Sequence, residues 1–169
     1  MRWARVGAAV GLAAGSLILL GGCFFVRAPV LEGPALGLGP LVGGVGQEVE
    51  IPVEVLGFPE PGVAGVAVLA LGYDPNVLEL RDVVGKNGFV VLCFCVDNVR
   101  GQAKFIALHP GGGRTAGAVA GLRGVRLRAG DPRWTLSPRD AQLIDAAHQG
   151  LSGYAIRLGG APLYSARRP

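Results

Sequence analysis

Apolar and polar residues alternate strictly along the segment 47–55. Valine and isoleucine occupy the odd positions from 49 to 55, and three glutamates and Pro52 occupy the even positions from 48 to 54. A period of two is typical of a strand with one buried face. The pattern therefore predicts a half-buried strand. Because proline has no N–H to donate to a ladder, Pro52 predicts a sheet edge or a point of weak pairing.

Further strand-like segments follow at short intervals. Residues 63–71 are apolar at both parities, which predicts a central strand, and the continuous apolar run 89–96 predicts a strand buried on both faces. Gly124 interrupts the phase of the segment 119–129 and indicates a bulge. The other predicted strands are 77–84, 102–108, 142–146 and 151–158, and Asn87-Gly88 is a hairpin signal between two of the strands.

These patterns predict an all-β protein. About eight or nine short strands, separated by turns every 8–12 residues or so, are typical of a β-sandwich. Glycine and valine are frequent, and no long stripe with a period of 3.6 residues predicts a helix in the folded domain.

The first 22 residues predict a secretory signal. Arg2 and Arg5 precede an apolar run, which leads into Leu20-Gly21-Gly22-Cys23. This ending resembles the bacterial lipobox, and the resemblance implies lipidation at Cys23 and a mature chain of 147 residues (169 − 22). The alternative is an uncleaved membrane helix over 6–26, since about 20 apolar residues span a bilayer. Both interpretations predict an exported, membrane-anchored protein on the periplasmic or cell-surface side.

Composition divides the remainder of the chain. Residues 23–45 are rich in glycine and proline and predict a tether, although part of the stretch 36–45 can pair as a first strand. We expect the folded domain over 46–160 and a short tail over 161–169. The net charge of +4 falls to +2 without the leader, with 14 basic and 12 acidic residues, and no basic run indicates nucleic-acid binding.

The candidate reactive groups do not predict an enzyme. Cys93 and Cys95 flank Phe94, and their spacing along a strand is unfavourable for a mutual disulfide. We interpret them as small core residues; exposed thiols in an oxidising compartment would instead join two molecules. His109 and His148 lack neighbours at metal-ligand spacing, and no third group orients a cysteine–histidine pair. We predict no cofactor, and calcium binding stays unassigned.

The most distinctive segment is a corner at Tyr73-Asp74-Pro75, which is followed by Asn76, two apolar residues and Glu79. Aspartate, proline and asparagine favour a tight turn between two strands. The segment resembles the corresponding corner of cohesin domains. The order of later features also resembles that family: Gly101-Gln102, Gly117-Ala118-Val119-Ala120, Leu143-Ile144-Asp145 and Gln149-Gly150. One departure is Val125, where the family often has phenylalanine.

The cohesin resemblance implies a nine-stranded jelly-roll sandwich and a non-enzymatic function. In that family a sheet face built from the middle strands binds a dockerin, which is a small calcium-binding helical module. The motif does not reach this face, so the sequence assigns no binding residues. Two alternatives are a polysaccharide-binding module, in which Trp134 and Tyr154 would stack on sugar rings, and a structural component of an envelope or secretion assembly.

Overall fold

Residues 33–160 are described by a computed structural model of the chain. This part contains ten β-strands and no α-helix, and within it no helical segment has the length and apolarity that a bilayer crossing requires. The strands are β1 (Ala35–Leu38), β2 (Glu48–Leu56), β3 (Gly65–Gly72), β4 (Leu78–Gly85), β5 (Val90–Asp97), β6 (Gln102–Leu108), β7 (Gly117–Arg126), β8 (Ala141–Ile144), β9 (Gly150–Leu151) and β10 (Ala155–Leu158).

The strands form two five-stranded sheets. Sheet I has the order β10-β1-β2-β7-β4, and sheet II has the order β5-β6-β3-β8-β9. Neighbouring strands are antiparallel except β1 and β10, which run parallel with Ala35 opposite Ala155. The predicted all-β sandwich is confirmed, with β3 in the middle of sheet II as its two apolar faces suggested.

One hydrophobic core includes side chains from both sheets. In β2 the predicted alternation is confirmed, because Val49, Ile51, Val53 and Val55 are all buried. Sheet II contributes residues such as Phe105 to the same core cluster. Burying an aliphatic or aromatic side chain contributes about 1.5–3 kcal/mol relative to leaving it exposed. The regular alternation therefore decides which face of each strand points to the core.

Pro52 predicted either a sheet edge or a point of weak pairing in β2; the sheet edge was wrong, and the weak pairing is confirmed. The strand lies between β1 and β7, so both of its sides have a neighbour. Pro52 is tolerated because pairing with β1 ends at Leu38 opposite Val53. The Pro52 carbonyl still accepts a 2.8 Å hydrogen bond from the N–H of Gly39. Proline is therefore placed where the ladder with β1 stops.

The prediction for the apolar run 89–96 was also wrong. The run forms β5, which pairs only with β6 and is an edge strand of sheet II. Leu92 and Phe94 are 59% and 45% exposed, respectively. A continuous apolar sequence does not show which strands will flank it. An edge strand has a neighbouring strand on one side only, so part of such a run stays exposed.

The bulge expected at Gly124 involves an extra residue in the facing strand. Leu80 lies opposite Gly124 and Asp82 lies opposite Arg123, so Arg81 is the unpaired residue in β4. A Cβ on Gly124 would fall on the backbone carbonyl of Glu79. Glycine at this position therefore permits the close approach of the bulged strand.

The corner predicted at Tyr73-Asp74-Pro75 lies between β3 and β4 in the structure. One Asp74 carboxylate oxygen accepts hydrogen bonds from the backbone N–H of Asn76 at 2.9 Å and from its amide nitrogen at 3.0 Å. These two bonds hold the pKa of Asp74 below its usual value. Tyr73 is buried and belongs to the core cluster. The turn is thus fixed by local polar contacts and by one buried aromatic ring.

The sandwich begins earlier than the predicted boundary at residue 46. Strand β1 lies within the segment assigned to the tether, and all four of its residues are buried. The first strand predicted within 36–45 corresponds to β1, which begins at Ala35 and has four residues. The predicted signal over 1–22, the lipidation site Cys23, residues 24–32 of the tether and the tail over 161–169 lie outside the described residues.

Candidate protein-binding face

The outer face of sheet II is the strongest candidate for a binding surface, and β6 shows how it is built. Ala103, Phe105 and Ala107 point into the core, so the alternate residues point outward. Those outward residues are Gln102, Lys104, Ile106 and Leu108. The outer face of β6 therefore changes from polar at its start to apolar at its end.

The strand register aligns outward residues into two rows that cross β8, β3, β6 and β5. The first row is Ile144–Gly65–Leu108–Val90, and the second row is Gln142–Ala67–Ile106–Cys93. We call these eight residues the cross-strand patch. None of them carries a charge, Gln142 is the one polar member, and all but the buried Gly65 are exposed or partly exposed. Apolar rows at the solvent face of a sheet are typical of an interaction surface.

The glycine that β3 contributes to the cross-strand patch lets the side chains of the neighbouring strands meet above it. A Cβ on Gly65 would lie 2.6 Å from Cγ1 of Ile144 and 2.7 Å from Cδ2 of Leu108. The side chains of Ile144 and Leu108 therefore converge over Gly65 from both sides. These two aliphatic side chains cover Gly65, which is buried, so they form the apolar surface of the first row.

Polar side chains border the cross-strand patch on the side where β6 begins. Lys104 lies opposite Cys95, and Gln102 lies opposite Asp97. Asp97 has Arg100 within 3.8 Å, whereas Lys104 makes no ion pair with any residue in the range 33–160. An apolar centre with a polar border is the usual composition of a protein–protein interface.

The outer face of sheet I is different in character. The Glu50 carboxylate binds both Lys86 and Arg123, and the Arg123 contact measures 2.8 Å. Hydrogen bonds from Lys86 and, to a smaller extent, from Arg123 hold the pKa of Glu50 below its usual value. The hydrogen bond to Glu50 in turn raises the pKa of Arg123. Part of the charge on this face is thus paired within the chain, and Glu79 and Arg81 form a further ion pair at 2.9 Å.

The cysteines occupy a different environment from the predicted one. Cys93 and Cys95 are both exposed free thiols, so their interpretation as small core residues was wrong. They point to the outer side of sheet II, because they lie opposite the outward residues Ile106 and Lys104. Among residues 33–160, no group of three histidine, cysteine, aspartate or glutamate side chains is arranged to hold a metal ion.

The two aromatic residues considered for sugar stacking do not form an exposed strip. Trp134 is only 8% exposed and packs against Tyr73 with ring centroids 6.0 Å apart. Tyr154 is half-buried, packs against Phe58, and donates a 2.7 Å hydrogen bond to the carbonyl of Ala141. Burial raises the pKa of Tyr154. Both rings stabilise the sandwich, and neither presents a free flat face.

The two histidines also occupy structural positions. The His109 ring packs edge-on against Phe89 at a centroid distance of 5.1 Å. His148 lies in the turn after β8 with a φ of 63°, and its N–H donates to the carbonyl of Asp145. The first histidine is tied to the core and the second to a turn, which is what their isolated positions in the sequence suggested.

Comparison with known proteins identifies the fold. No protein-family model matches the chain. A segment of 46 residues is 46% identical to the cellulosomal-scaffolding protein A of Acetivibrio thermocellus, and it covers 27% of this chain and 2% of that protein. The chain therefore corresponds to a small fraction of the length of that curated relative.

Solved structures extend the likeness to most of the chain. The second type II cohesin of the adaptor scaffoldin ScaA from Acetivibrio cellulolyticus gives a TM-score of 0.57 at 15% identity, covering 77% of this chain and 97% of that chain. A non-cellulosomal cohesin from Archaeoglobus fulgidus gives 0.55 at 18% identity, with 74% and 86% covered. The sixth cohesin of scaffoldin B from A. cellulolyticus, in complex with the Cel5 dockerin, gives 0.56 at 18% identity, with 75% and 99% covered. The chain thus has the two-sheet fold of cohesin modules.

Proposed function

We propose that this protein is a non-enzymatic module that binds another protein through the outer face of sheet II. The observation that carries the proposal is the cross-strand patch, which places two uncharged rows across four strands of one face. Apolar side chains at its centre supply the area that a partner can remove from water. The partner that fits best is a dockerin-like protein.

Three observations support a dockerin-like partner. The fold is that of cohesins, and several of the similar structures are complexes of a cohesin with a dockerin. The patch lies on middle strands of a sheet, which agrees with the face that the family resemblance implies. The unpaired cation Lys104 lies beside it and can pair with an acidic group of the partner.

We further propose that the module is tethered to a membrane by a lipid on Cys23, on the periplasmic or cell-surface side. Support comes from the sequence Leu20-Gly21-Gly22-Cys23 after an apolar run. Radiolabelled palmitate incorporation in wild type and in Cys23→Ser tests this part separately. Label retained by the serine variant would contradict it.

Partner capture tests the binding proposal. The full-length chain, purified in detergent and immobilised, is exposed to dockerin modules and to envelope extract, with calcium or with a chelator. We expect capture of a dockerin-like protein that depends on calcium, because calcium orders that class of module. Capture of polysaccharide instead of protein would contradict the proposal, as would identical capture by Ile106→Asp and wild type.

A further inference from the structure

Strand β5 has one open edge. Its other side pairs with β6 from Val90 to Asp97, and no backbone hydrogen bond outside this ladder involves residues 90–97 in the described part of the chain. A row of free N–H and C=O groups is a template for another strand. The strand has eight residues, with a bulge at Leu92.

The other edges of the two sheets are protected by charge or short length, whereas the one protecting feature of β5 is a bulge at Leu92. Strand β9 has two residues and β10 has four, including Arg157. Strand β4 carries Glu79, Arg81 and Asp82 along its length. Charged residues and short length are the usual ways to prevent edge pairing. In β5, by contrast, the first seven residues are uncharged, and Val90, Leu92 and Phe94 are among the exposed large apolar residues.

The cysteine spacing in β5 identifies the strand that fits this edge. When a second β5 lies antiparallel about a two-fold axis at Phe94, Cys93 of each copy faces Cys95 of the other. Directly opposed residues of antiparallel strands have Cα atoms about 4.5–5.5 Å apart. This separation lies within the range of about 4.4–6.8 Å that a disulfide requires. The segment from Cys93 to Asp97 pairs regularly with β6, and a bulge at Leu92 separates it from Val91. The regular part of the two-fold contact is therefore Cys93 to Cys95 of each copy, which contains both opposed cysteine pairs.

The same thiols are poorly placed to react within one chain. Residues two apart on a strand are separated by about 6.6 Å, and their Cβ vectors are parallel. The two-fold register also opposes no like charges, because Asp97 faces Val91 and Leu92 faces Val96 of the second copy. Phe94 of one copy meets Phe94 of the other, which buries two exposed rings. The interchain arrangement therefore suits disulfide formation better than the arrangement of Cys93 and Cys95 within one chain.

We propose that two copies of this chain pair β5 to β5 in the antiparallel register centred on Phe94. Sheet II becomes a continuous ten-stranded sheet, and two symmetric disulfides join Cys93 of each copy to Cys95 of the other. For each bridge, two thiols lose two protons and two electrons and form one S–S bond. The electrons reduce one molecule of a disulfide oxidant, such as oxidised glutathione, to two thiols.

Dimerisation places Cys93 of the cross-strand patch in a disulfide and leaves the rest of the patch accessible. A two-fold axis perpendicular to a sheet keeps the same face of both copies on the same side, so the outer faces of sheet II lie side by side. The dimer would present two binding faces to a bivalent partner, and such a pair raises avidity without new contacts. The dimer itself is independent of the proposed function and is tested without any partner.

A mixing experiment tests the register. Full-length chains with Cys23→Ser, which leaves Cys93 and Cys95 as the two thiols, are treated with oxidised glutathione and analysed on non-reducing gels and by peptide mass spectrometry. We expect covalent dimers with a Cys93–Cys95 interchain linkage. Neither Cys93→Ser nor Cys95→Ser alone crosslinks efficiently, because each thiol then faces serine. Mixing the two variants restores a single bridge, with at least a ten-fold higher dimer yield than either alone.

Three results would overturn the proposal. They are a wild-type chain that stays monomeric with reactive thiols, an intrachain bridge between Cys93 and Cys95, and single variants that crosslink as well as their mixture. Phe94→Lys tests the edge contact independently, since it places two lysines at the axis. We expect crosslinking at least ten-fold slower than with the control Leu127→Lys, which adds the same charge at another exposed apolar position outside the edge. Equal rates would exclude edge pairing.

Discussion

The hydroxyl of Tyr73 donates a 2.6 Å hydrogen bond to the side-chain oxygen of Asn98. The same oxygen accepts the N–H of Leu80 at 2.9 Å, and the Asn98 amide nitrogen donates to the Leu80 carbonyl at 2.7 Å. One asparagine in the β5–β6 turn therefore links the end of β3 to β4 in the opposite sheet. This contact joins the two sheets at the corner that the sequence singled out.

Replacing Asn98 tests the importance of this contact. Asn98→Ala removes three hydrogen bonds and leaves partly buried groups of Tyr73 and Leu80 without partners, so we expect the free energy of unfolding to fall by about 2–3 kcal/mol. Chemical denaturation measures the change. The control is Val99→Ala in the same turn, which is 92% exposed and should change stability by less than about 0.5 kcal/mol. Equal effects of the two variants would show that the bridge is energetically unimportant.

The Tyr73 hydroxyl also predicts a dependence of stability on pH. Burial, followed by the charges of Asp97 and Glu79, raises its pKa to about 12. The folded state therefore holds the proton more tightly than the unfolded state, whose tyrosine pKa is about 10. Its contribution to stability is complete below about pH 10 and is lost as the pH rises towards about 12.

Denaturation midpoints of wild type and Tyr73→Phe between pH 8 and pH 12 test this dependence. We expect the stability difference between the two proteins to narrow above about pH 10, because phenylalanine has no proton to lose. The phenylalanine variant also controls for Tyr154, whose pKa is raised in both proteins. A difference that stays constant up to pH 12 would contradict the assignment.

Gly101 supports the same corner through its backbone. Its φ is +64°, and a Cβ would fall on the carbonyl oxygen of Tyr73, whose N–H donates to the Gly101 carbonyl at 2.8 Å. We expect Gly101→Ala to lower the free energy of unfolding by more than about 2 kcal/mol, since backbone strain of about 1–2 kcal/mol adds to the steric conflict. Gly46→Ala isolates the strain, because Gly46 has a φ of +80° and no atom within 4 Å of a Cβ. If Gly101→Ala lowers the free energy of unfolding no more than Gly46→Ala does, the steric conflict at Gly101 is disproved.

Phe94 and Phe105 face each other across β5 and β6 and form a matched pair. Phe105 is 1% exposed, so Phe105→Ala should reduce the free energy of unfolding by about 3–5 kcal/mol. Phe94→Ala in the reduced, monomeric protein should cost less than half as much, because the ring lies at the open edge. Urea denaturation of both variants measures the ratio, and equal losses would show that β5 is covered rather than open.

Local sequence patterns predicted the individual strands better than they predicted which strands lie side by side. The alternation over 47–55 defined the buried face of β2 because a period of two reports one strand at a time. The edge position of β5 was not predictable from its continuous apolar sequence, since an edge is a property of strand order. The edge position inferred from Pro52 was wrong for the same reason. Whether the missing N–H of Pro52 leaves a strand partner unpaired depends on how far β1 extends.

The candidate binding face depends on still more distant information. Gly65, Ile144, Leu108 and Val90 come from four strands and become one row only through the strand register. The family resemblance implied a face of middle strands but no residues. The outward positions of β6 contained a signal, because Ile106 and Leu108 follow two polar residues there. The signal could be recognised only after the alternation had assigned these positions to the outer face.

The central claim is that the outer face of sheet II binds a protein. Titration calorimetry with the captured partner tests it most directly, comparing wild type, Ile106→Asp in the cross-strand patch, and Leu127→Asp, which introduces the same charge at an exposed leucine outside that face. Thermal unfolding confirms that both variants are folded. We expect at least a ten-fold weaker Kd for Ile106→Asp and an unchanged Kd for Leu127→Asp. Unchanged binding by a folded Ile106→Asp would contradict it.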